Sequence, residues 1–399
     1  MKPLKTFFME DFLENNRFQA QFNLGESGGR ARTVQEILSL SDLSTEEGTK
    51  KFFSLTLCDS PNRGRNDLRQ LIANFHPGAS IDNVLVTTGT SEALFLLFRN
   101  LRPKKVALAL PAFQLLYELP LAMDAEIVPL PVRFDANGAP WIDEQEWLEI
   151  IATSKPECLL INNPHNPSGL IFDSEFLQQV KQTAKSINCK IIADEHYRFL
   201  SSPYDVLAPT LYQNDGTTFV TGSFIKCFGT PGLRIGWCIG PKEALDAMQN
   251  EKNYTTHTVN PISEWIAFEV LKNTQSFLFQ EVKKEWIQNK QILSEFLQNS
   301  KTLYGMAPNG GLVSCLGFQN ATSLELTIQL INKFSLEGIF VLPLSSMEFD
   351  NYSFQQKEFY QNKKLSGLNK GFGFRLGLGC NPKQFADALH KMECILTQI

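Results

Sequence analysis

The chain has 399 residues, 43% of them hydrophobic, with 37 Lys+Arg against 42 Asp+Glu and a formal net charge of −5. That is enough apolar material for a large core shared by more than one domain. No basic tract or stripe stands out, which argues against nucleic acid as a partner, and no apolar run approaches the roughly 20 residues of a membrane helix.

The N-terminal stretch MKPLKTFFMEDFLENN carries two lysines, but Glu10, Asp11 and Glu14 follow too soon for a secretion signal with an apolar core of roughly 7–15 residues. A mature start is expected. The eight cysteines are scattered, with no CxxC pair, as expected of free thiols in a reducing, cytoplasmic setting. The Asn-x-Ser/Thr matches at Asn253, Asn320 and Asn351 then carry no meaning.

From about residue 84 strand, turn and helix repeat. Val84–Thr87 is an apolar run broken by Gly89-Thr90-Ser91, with a helical pattern through Arg99. Val106–Leu110 stops at Pro111, and Cys158–Ile161 ends at Asn162-Asn163-Pro164. An amphipathic helix over Phe172–Ser186 precedes strands at Ile191–Ala193, Thr217–Thr221 and Ile235–Ile239. Short unbroken apolar strands alternating with helices predict an α/β fold with a mostly parallel sheet between helices. In the last third, helical Ser263–Leu271 and Phe277–Gln298 lead to a strand at Gly311–Phe318. A helix at Leu324–Leu336, strands at Gly338–Leu342 and Phe374–Leu378, and a closing helix from Pro382 complete a smaller α/β unit. The spacing predicts a large domain over 46–275 and a small one from 1–45 plus 276–399. Residues 1–45 are expected to pack on the small domain without a sheet of their own.

Four segments place polar residues at strand ends, where ligands of open parallel sheets bind. In Thr87-Thr88-Gly89-Thr90-Ser91, a strand hands over to a helix whose first N–H groups suit an anion; an ordinary Ser/Thr cap is the plain alternative. Asn162-Asn163-Pro164-His165-Asn166-Pro167-Ser168-Gly169 holds more turn residues than one turn requires, and an Asn amide can donate to a phenolate or carboxylate. In Asp194-Glu195-His196-Tyr197, a carboxylate directly after an apolar strand needs a cation or several donors, for which a protonated pyridine nitrogen would serve. His196 reads more simply as a structural histidine. In the stretch Ser223-Phe224-Ile225-Lys226 through Arg234, a lysine lies in apolar, Gly-rich surroundings that lower its pKa and suit a Schiff base. A snorkelling surface lysine is the alternative. Ser223-x-x-Lys226 also fits a serine acyl-enzyme pattern, but the S-D-N and K-T-G partners of that class are absent from the sequence. Gly371-Phe372-Gly373 lacks the spacing of a dinucleotide fingerprint. No metal-ligand spacing is present.

Taken in order, N-P-H-N-P-S-G, D-x-x-Y, S-x-x-K with Arg eight residues later, and the late F-R-L-G resemble the aspartate aminotransferase superfamily, the class I/II branch of pyridoxal-phosphate (PLP) fold type I. The resemblance covers roughly residues 60 to 380. It implies that Lys226 holds PLP as a Schiff base and later shuttles the substrate α-proton. Asp194 would pair with the ring nitrogen, and Asn166 and Tyr197 with the phenolate oxygen. Gly89, Thr90, Ser91, Ser223 and Arg234 would hold the phosphate, and Phe113 would stack on the ring. Arg375 would clamp the substrate carboxylate, with Gly25, Glu26 and Asn166 as further substrate contacts. It also implies a homodimer with sites at the interface and a role in amino-acid metabolism.

Some stretches depart from the family pattern. Leu57–Gly64 lacks the tyrosine that often reaches the partner's phosphate, and Asn23–Arg30 lacks the usual proline. Glu26 is an extra carboxylate, and Asp194–Phe199 has a charged insert expected to face the site. These resemble capreomycidine-synthase-like enzymes. The leading expectation is an aminotransferase acting on an L-amino acid and a 2-oxo acid. The alternatives are PLP-dependent elimination, cyclisation or oxidation of a cationic amino acid paired with Glu26 and Asp59, and a non-catalytic binding protein of this fold.

Overall fold

Seven short strands form one sheet: β1 (Val84–Thr87), β2 (Lys105–Leu110), β3 (Glu126–Pro131), β4 (Cys158–Asn162), β5 (Lys190–Asp194), β6 (Thr218–Ser223) and β7 (Gly236–Ile239). Their spatial order is β1-β7-β6-β5-β4-β2-β3. Strands β2 to β6 run parallel, and β7 is antiparallel to both β6 and β1. This computed structural model describes residues 2–39, 44–201, 207–224, 226–272, 277–347 and 366–398. Ile225, the expected domain boundary at residue 275 and Asn351 lie outside the described residues.

The strands read as unbroken apolar runs because both faces of the sheet are dry. Successive side chains of a strand point to opposite faces. In β5, Ile191 and Ala193 enter one core and Ile192 the other; in β2, Ala107 and Ala109 oppose Val106, Leu108 and Leu110. Helices Gly89–Leu101, Leu115–Ala122 and Lys242–Lys252 cover the second face. Helices Asn66–Asn74, Glu144–Ser154, Ser174–Ser186 and Pro261–Lys272 cover the first. Each fully buried aliphatic side chain here contributes about 1.5–3 kcal/mol. The layered arrangement is the one expected.

A second sheet of four antiparallel strands is built from β8 (Leu303–Gly305), β9 (Val313–Phe318), β10 (Leu342–Pro343) and β11 (Gly373–Gly377), in the order β8-β9-β11-β10. Helices Lys283–Asn299, Leu324–Leu336 and Pro382–Thr397 belong to it. The middle helix begins where Ser323 accepts a hydrogen bond from Leu326 N–H.

Two expectations need correction and one is sharpened. Residues 1–45 form no sheet of their own, but they do supply one short strand to the small unit: Phe22–Asn23 pairs in parallel with Ile339–Phe340, and Leu24 N–H donates to Phe340 O. Two paired residues are too few to show alternation. The run Gly338–Leu342 splits into Ile339–Phe340 and Leu342–Pro343, each pairing with a different neighbour. The helix expected from Phe277 opens with a π turn over Phe277–Val282 before the α-helix starts at Lys283.

The large sheet positions the chemistry. Thr87, Asn162, Asp194 and Ser223 are each the last residue of their strand. No described helix is long and apolar enough to cross a membrane.

Candidate active site

Helix Gly89–Leu101 starts two residues after β1 ends, and its cap residue Thr88 makes no side-chain cap hydrogen bond. The first-turn N–H groups are therefore not satisfied by the cap. They carry the roughly half positive charge of a helix N-terminus. A Cβ on Gly236 would lie 2.5 Å from Gly89 C and 2.6 Å from Thr90 N, so only glycine lets β7 pass so close to this turn. Thr90 Oγ1 donates to Gly222 O at 3.2 Å, tying the helix start to β6. Ser91, Ser223 and Arg234 line the cavity that this turn faces.

Most of the polar residues of the 162–169 loop build the loop itself. Asn162 Nδ2 donates to Asp194 O at 2.8 Å, and Asn162 Oδ1 accepts from Asn166 N–H at 2.6 Å. Asn163 bonds Pro209 O and Phe172 N–H. His165 Nδ1 pairs with Ser168 Oγ at 2.8 Å, and burial pushes its imidazole down to about 3, so it stays neutral. What the loop delivers is Asn166, on the cavity wall. Its Oδ1 accepts from Arg375 Nη1 at 3.3 Å, which leaves its NH2 as the group able to donate.

Asp194 is 2% exposed. Its Oδ1 accepts from Thr221 Oγ1 at 3.1 Å, and its Oδ2 lies 2.9 Å from His196 Nδ1. The charged insert after it does not face the site. Glu195 accepts from Thr210 Oγ1 and Leu211 N–H, and Arg198 donates to Ala208 O and Phe75 O, and neither lines the cavity. Of the insert, only His196 reaches the cavity wall. Tyr197 also differs from expectation. It is fully buried, and its hydroxyl donates to the Ser27 carbonyl instead of opening on the cavity.

Lys226 Nζ donates to Ser27 Oγ at 2.6 Å, and Lys226 O accepts from Gly29 N–H at 2.7 Å. Side chain and backbone of the lysine are thus both held by the N-terminal loop. Burial, then the nearby Arg375 guanidinium, pull the amine down to about 8. An amine at that value offers on the order of 100-fold more free base near pH 7 than an ordinary lysine.

Arg375, at the centre of β11, is fully buried. Its Nη2 donates to Gly25 O at 2.6 Å, so it braces the N-terminal loop behind the wall. The loop runs so close to the segment after β11 that a Cβ on Gly379 would overlap Gly28 O at 1.7 Å.

One cavity of about 150 Å³ brings together Thr90, Ser91, Phe113, Asn166, Asp194, Ser223, Lys226 and Arg234. Gly89, Tyr197, Gly25, Glu26 and Arg375 are not among its lining residues. The sequence reading missed Ser27 and Glu10, which also line it, and Thr221 beneath Asp194. Ser27 carries no motif. Thr221 could be found only from the register that sets it beside Asp194 across β5 and β6. Glu26 pairs with Arg17 at 3.4 Å, and Asp59 is exposed away from the cavity. No metal-binding cluster occurs among the described residues.

The lining fits PLP end to end. An uncapped helix start with two serines and an arginine suits a phosphate, a buried carboxylate suits a pyridinium N–H, and an amine of lowered basicity suits an aldehyde. A wider cleft of about 540 Å³ lined by residues such as Asn137, Gln298 and Tyr304 offers no carboxylate, lysine or arginine.

Known proteins agree. A family model described as aminotransferase class I and II matches residues 57–355. The chain is 26% identical over 339 residues to capreomycidine synthase from Streptomyces vinaceus, covering 84% of this chain and 85% of that one. It is 25% identical over 337 residues to an aspartate aminotransferase from Pyrococcus horikoshii, covering 80% and 85%. In fold it is similar to a PLP-dependent aminotransferase from Streptococcus suis, with a TM-score of 0.83 at 20% identity over 99% of this chain and 98% of that one. It is also similar to the PLP-dependent cyclase OrfR, with a TM-score of 0.80 at 22% identity over the same shares. The family match takes in all four strand-end segments, and the chain belongs to the class I and II aminotransferases, enzymes whose cofactor is pyridoxal phosphate.

Proposed function

We propose that this cavity moves an amino group between an L-amino acid and a 2-oxo acid, with Lys226 as both the covalent anchor of PLP and the base at the substrate α-carbon. One observation carries the reading: the Lys226 amine shares a cavity with a buried carboxylate, Asp194, and with the anion-binding start of helix Gly89–Leu101. Bound PLP supplies an electron sink that stabilises negative charge at the substrate α-carbon. Thr90, Ser91, Ser223 and Arg234 hold its phosphate, Asp194 keeps its ring nitrogen protonated, Asn166 donates to its phenolate oxygen and Phe113 covers its ring. Lys226 Nζ, once free, takes the Cα proton and returns it elsewhere, and its low basicity keeps it able to do both near neutral pH. Arg375, bracing Gly25 and Asn166, orients the wall that meets the substrate carboxylate.

A second reading rests on Glu10. This carboxylate lines the cavity and already holds a guanidinium, that of Arg17, at 3.1 Å. It supports a cationic amino acid as substrate and, given the similarity to capreomycidine synthase, elimination or cyclisation in place of transamination. Single amino acids supplied with and without 2-oxoglutarate separate the two. Strict dependence on the oxo acid is expected, and turnover without it favours the second reading. A visible-edge absorbance band that appears in wild type and vanishes in Lys226→Ala tests the anchor. A wild type that takes up no PLP overturns both readings, in favour of a binding protein.

The same reading carries a homodimer, supported by Phe53 and Leu57, exposed at 80% and 76%. It also carries a cytoplasmic setting, supported by eight unpaired cysteines. Sedimentation of the purified protein tests the dimer.

A further inference from the structure

His196 stands on the cavity wall with no part in the chemistry of Lys226. It is 7% exposed, and its Nε2 has no hydrogen-bond partner. Buried polar groups are nearly always paired, so an unpartnered ring nitrogen on a residue of the cavity lining stands out. The rest of the residue is held on three sides. Its ring lies 4.3 Å from that of Tyr197, and its carbonyl accepts from Cys227 Sγ at 3.2 Å, one residue past Lys226. Its Nδ1 lies 2.9 Å from Asp194 Oδ2. A carboxylate oxygen only accepts, so Nδ1 carries the proton.

Asp194 thus has each oxygen tied to a donor: Oδ1 by the Thr221 hydroxyl, Oδ2 by His196. What two donors add is a fixed carboxylate plane.

We propose that His196 is a positioning residue that, with Thr221, fixes the Asp194 carboxylate and thereby sets how firmly it holds the proton on the ring nitrogen of bound PLP. The inference rests on the PLP reading above. His196 does not touch the reacting carbon. It acts through Asp194, and its link to Cys227 keeps the Asp194 and Lys226 segments in one relation.

The test uses the full-length protein in three forms: wild type, His196→Phe and His196→Asn. Phenylalanine keeps the flat ring against Tyr197 but cannot donate. Asparagine presents an amide N–H near the place of Nδ1. Each is reconstituted with PLP labelled with 15N in the ring, and the ring-nitrogen chemical shift and the cofactor dissociation constant are measured. His196→Phe is expected to move the shift toward that of neutral pyridine and to weaken PLP binding roughly tenfold, and His196→Asn to restore most of both. A wild-type shift in His196→Phe, or equal displacement by Phe and Asn, overturns the proposal. If His196→Phe does not fold, Thr221→Val removes the other donor and must move the same shift in the same direction; no movement overturns the proposal. A wild type that binds no PLP fails the underlying reading instead, and is told apart by the missing absorbance band.

Discussion

Lys226 Nζ and Ser27 Oγ lie 2.6 Å apart, joining the chemistry of the large sheet to a loop 199 residues earlier in the chain. The contact is doubly fixed. Tyr197 donates to the Ser27 carbonyl, and Gly29 N–H donates to Lys226 O. The loop is therefore a working part of the site as well as a cover for it.

Ser27→Ala removes the acceptor for Lys226 and leaves the backbone bonds in place. A hydrogen bond to a charged group contributes about 1.5–3 kcal/mol, so kcat is expected to fall roughly 10- to 100-fold with little change in melting temperature. Exchange of the substrate α-hydrogen in deuterated water checks the step directly. An unchanged exchange rate would falsify a role for Ser27 in aiming the amine.

Arg375→Met tests the second cause of the lowered Lys226 basicity, after burial. A positive neighbour disfavours the charged amine, so its removal should raise the pKa above the wild-type value of about 8. The rate at which PLP-free protein captures added PLP should rise with pH through that value in wild type and through a higher pH in the variant. At pH 7.5 the variant is then the slower. Arg375→Lys, which keeps a charge, should lie closer to wild type. A midpoint that stays put or falls in Arg375→Met contradicts the assignment.

Gly236→Ala places a methyl group against the backbone at Gly89 and Thr90, atoms that cannot swing away as a side-chain end could. Overpacking of this kind costs about 1–3 kcal/mol. The variant should melt earlier and bind free phosphate and PLP more weakly, measured by thermal denaturation and by titration. Gly232→Ala, at a position with nothing within 4 Å, is the control and should do neither.

Glu10→Gln keeps the size of the side chain and removes its charge. If a cationic substrate side chain lies against it, kcat/KM for lysine and arginine should drop up to about fivefold while values for neutral amino acids hold, since an exposed ion pair contributes at most about 1 kcal/mol. A uniform loss across substrates would instead point to a disturbed N-terminal helix.

Six of the seven large-sheet strands, and the placement of polar residues at strand ends, were legible from the sequence because a sheet buried on both faces demands unbroken apolar strands, and the polar residues that end them stand out; β3 (Glu126–Pro131), with two prolines in six residues, was not. Asp194, Asn166 and Lys226 could be picked for that reason. The roles inside each segment were not legible. In the 162–169 loop several polar residues build the turn and Asn166 is presented, and in the 194–199 segment Glu195 and Arg198 turn away while His196 turns in. Which way a side chain faces after a strand ends depends on local backbone angles and on partners such as Thr210 and Phe75, distant in the chain. Glu10, Ser27 and Thr221 were invisible for the same reason: each matters through a neighbour supplied by sheet register or by the closing of the N-terminal loop, and no residue type or spacing announces that. The sequence alone determined the cofactor's chemistry. Only the tertiary structure decided which side chains tune it, because tuning depends on distances of about 3 Å between residues separated by long stretches of chain.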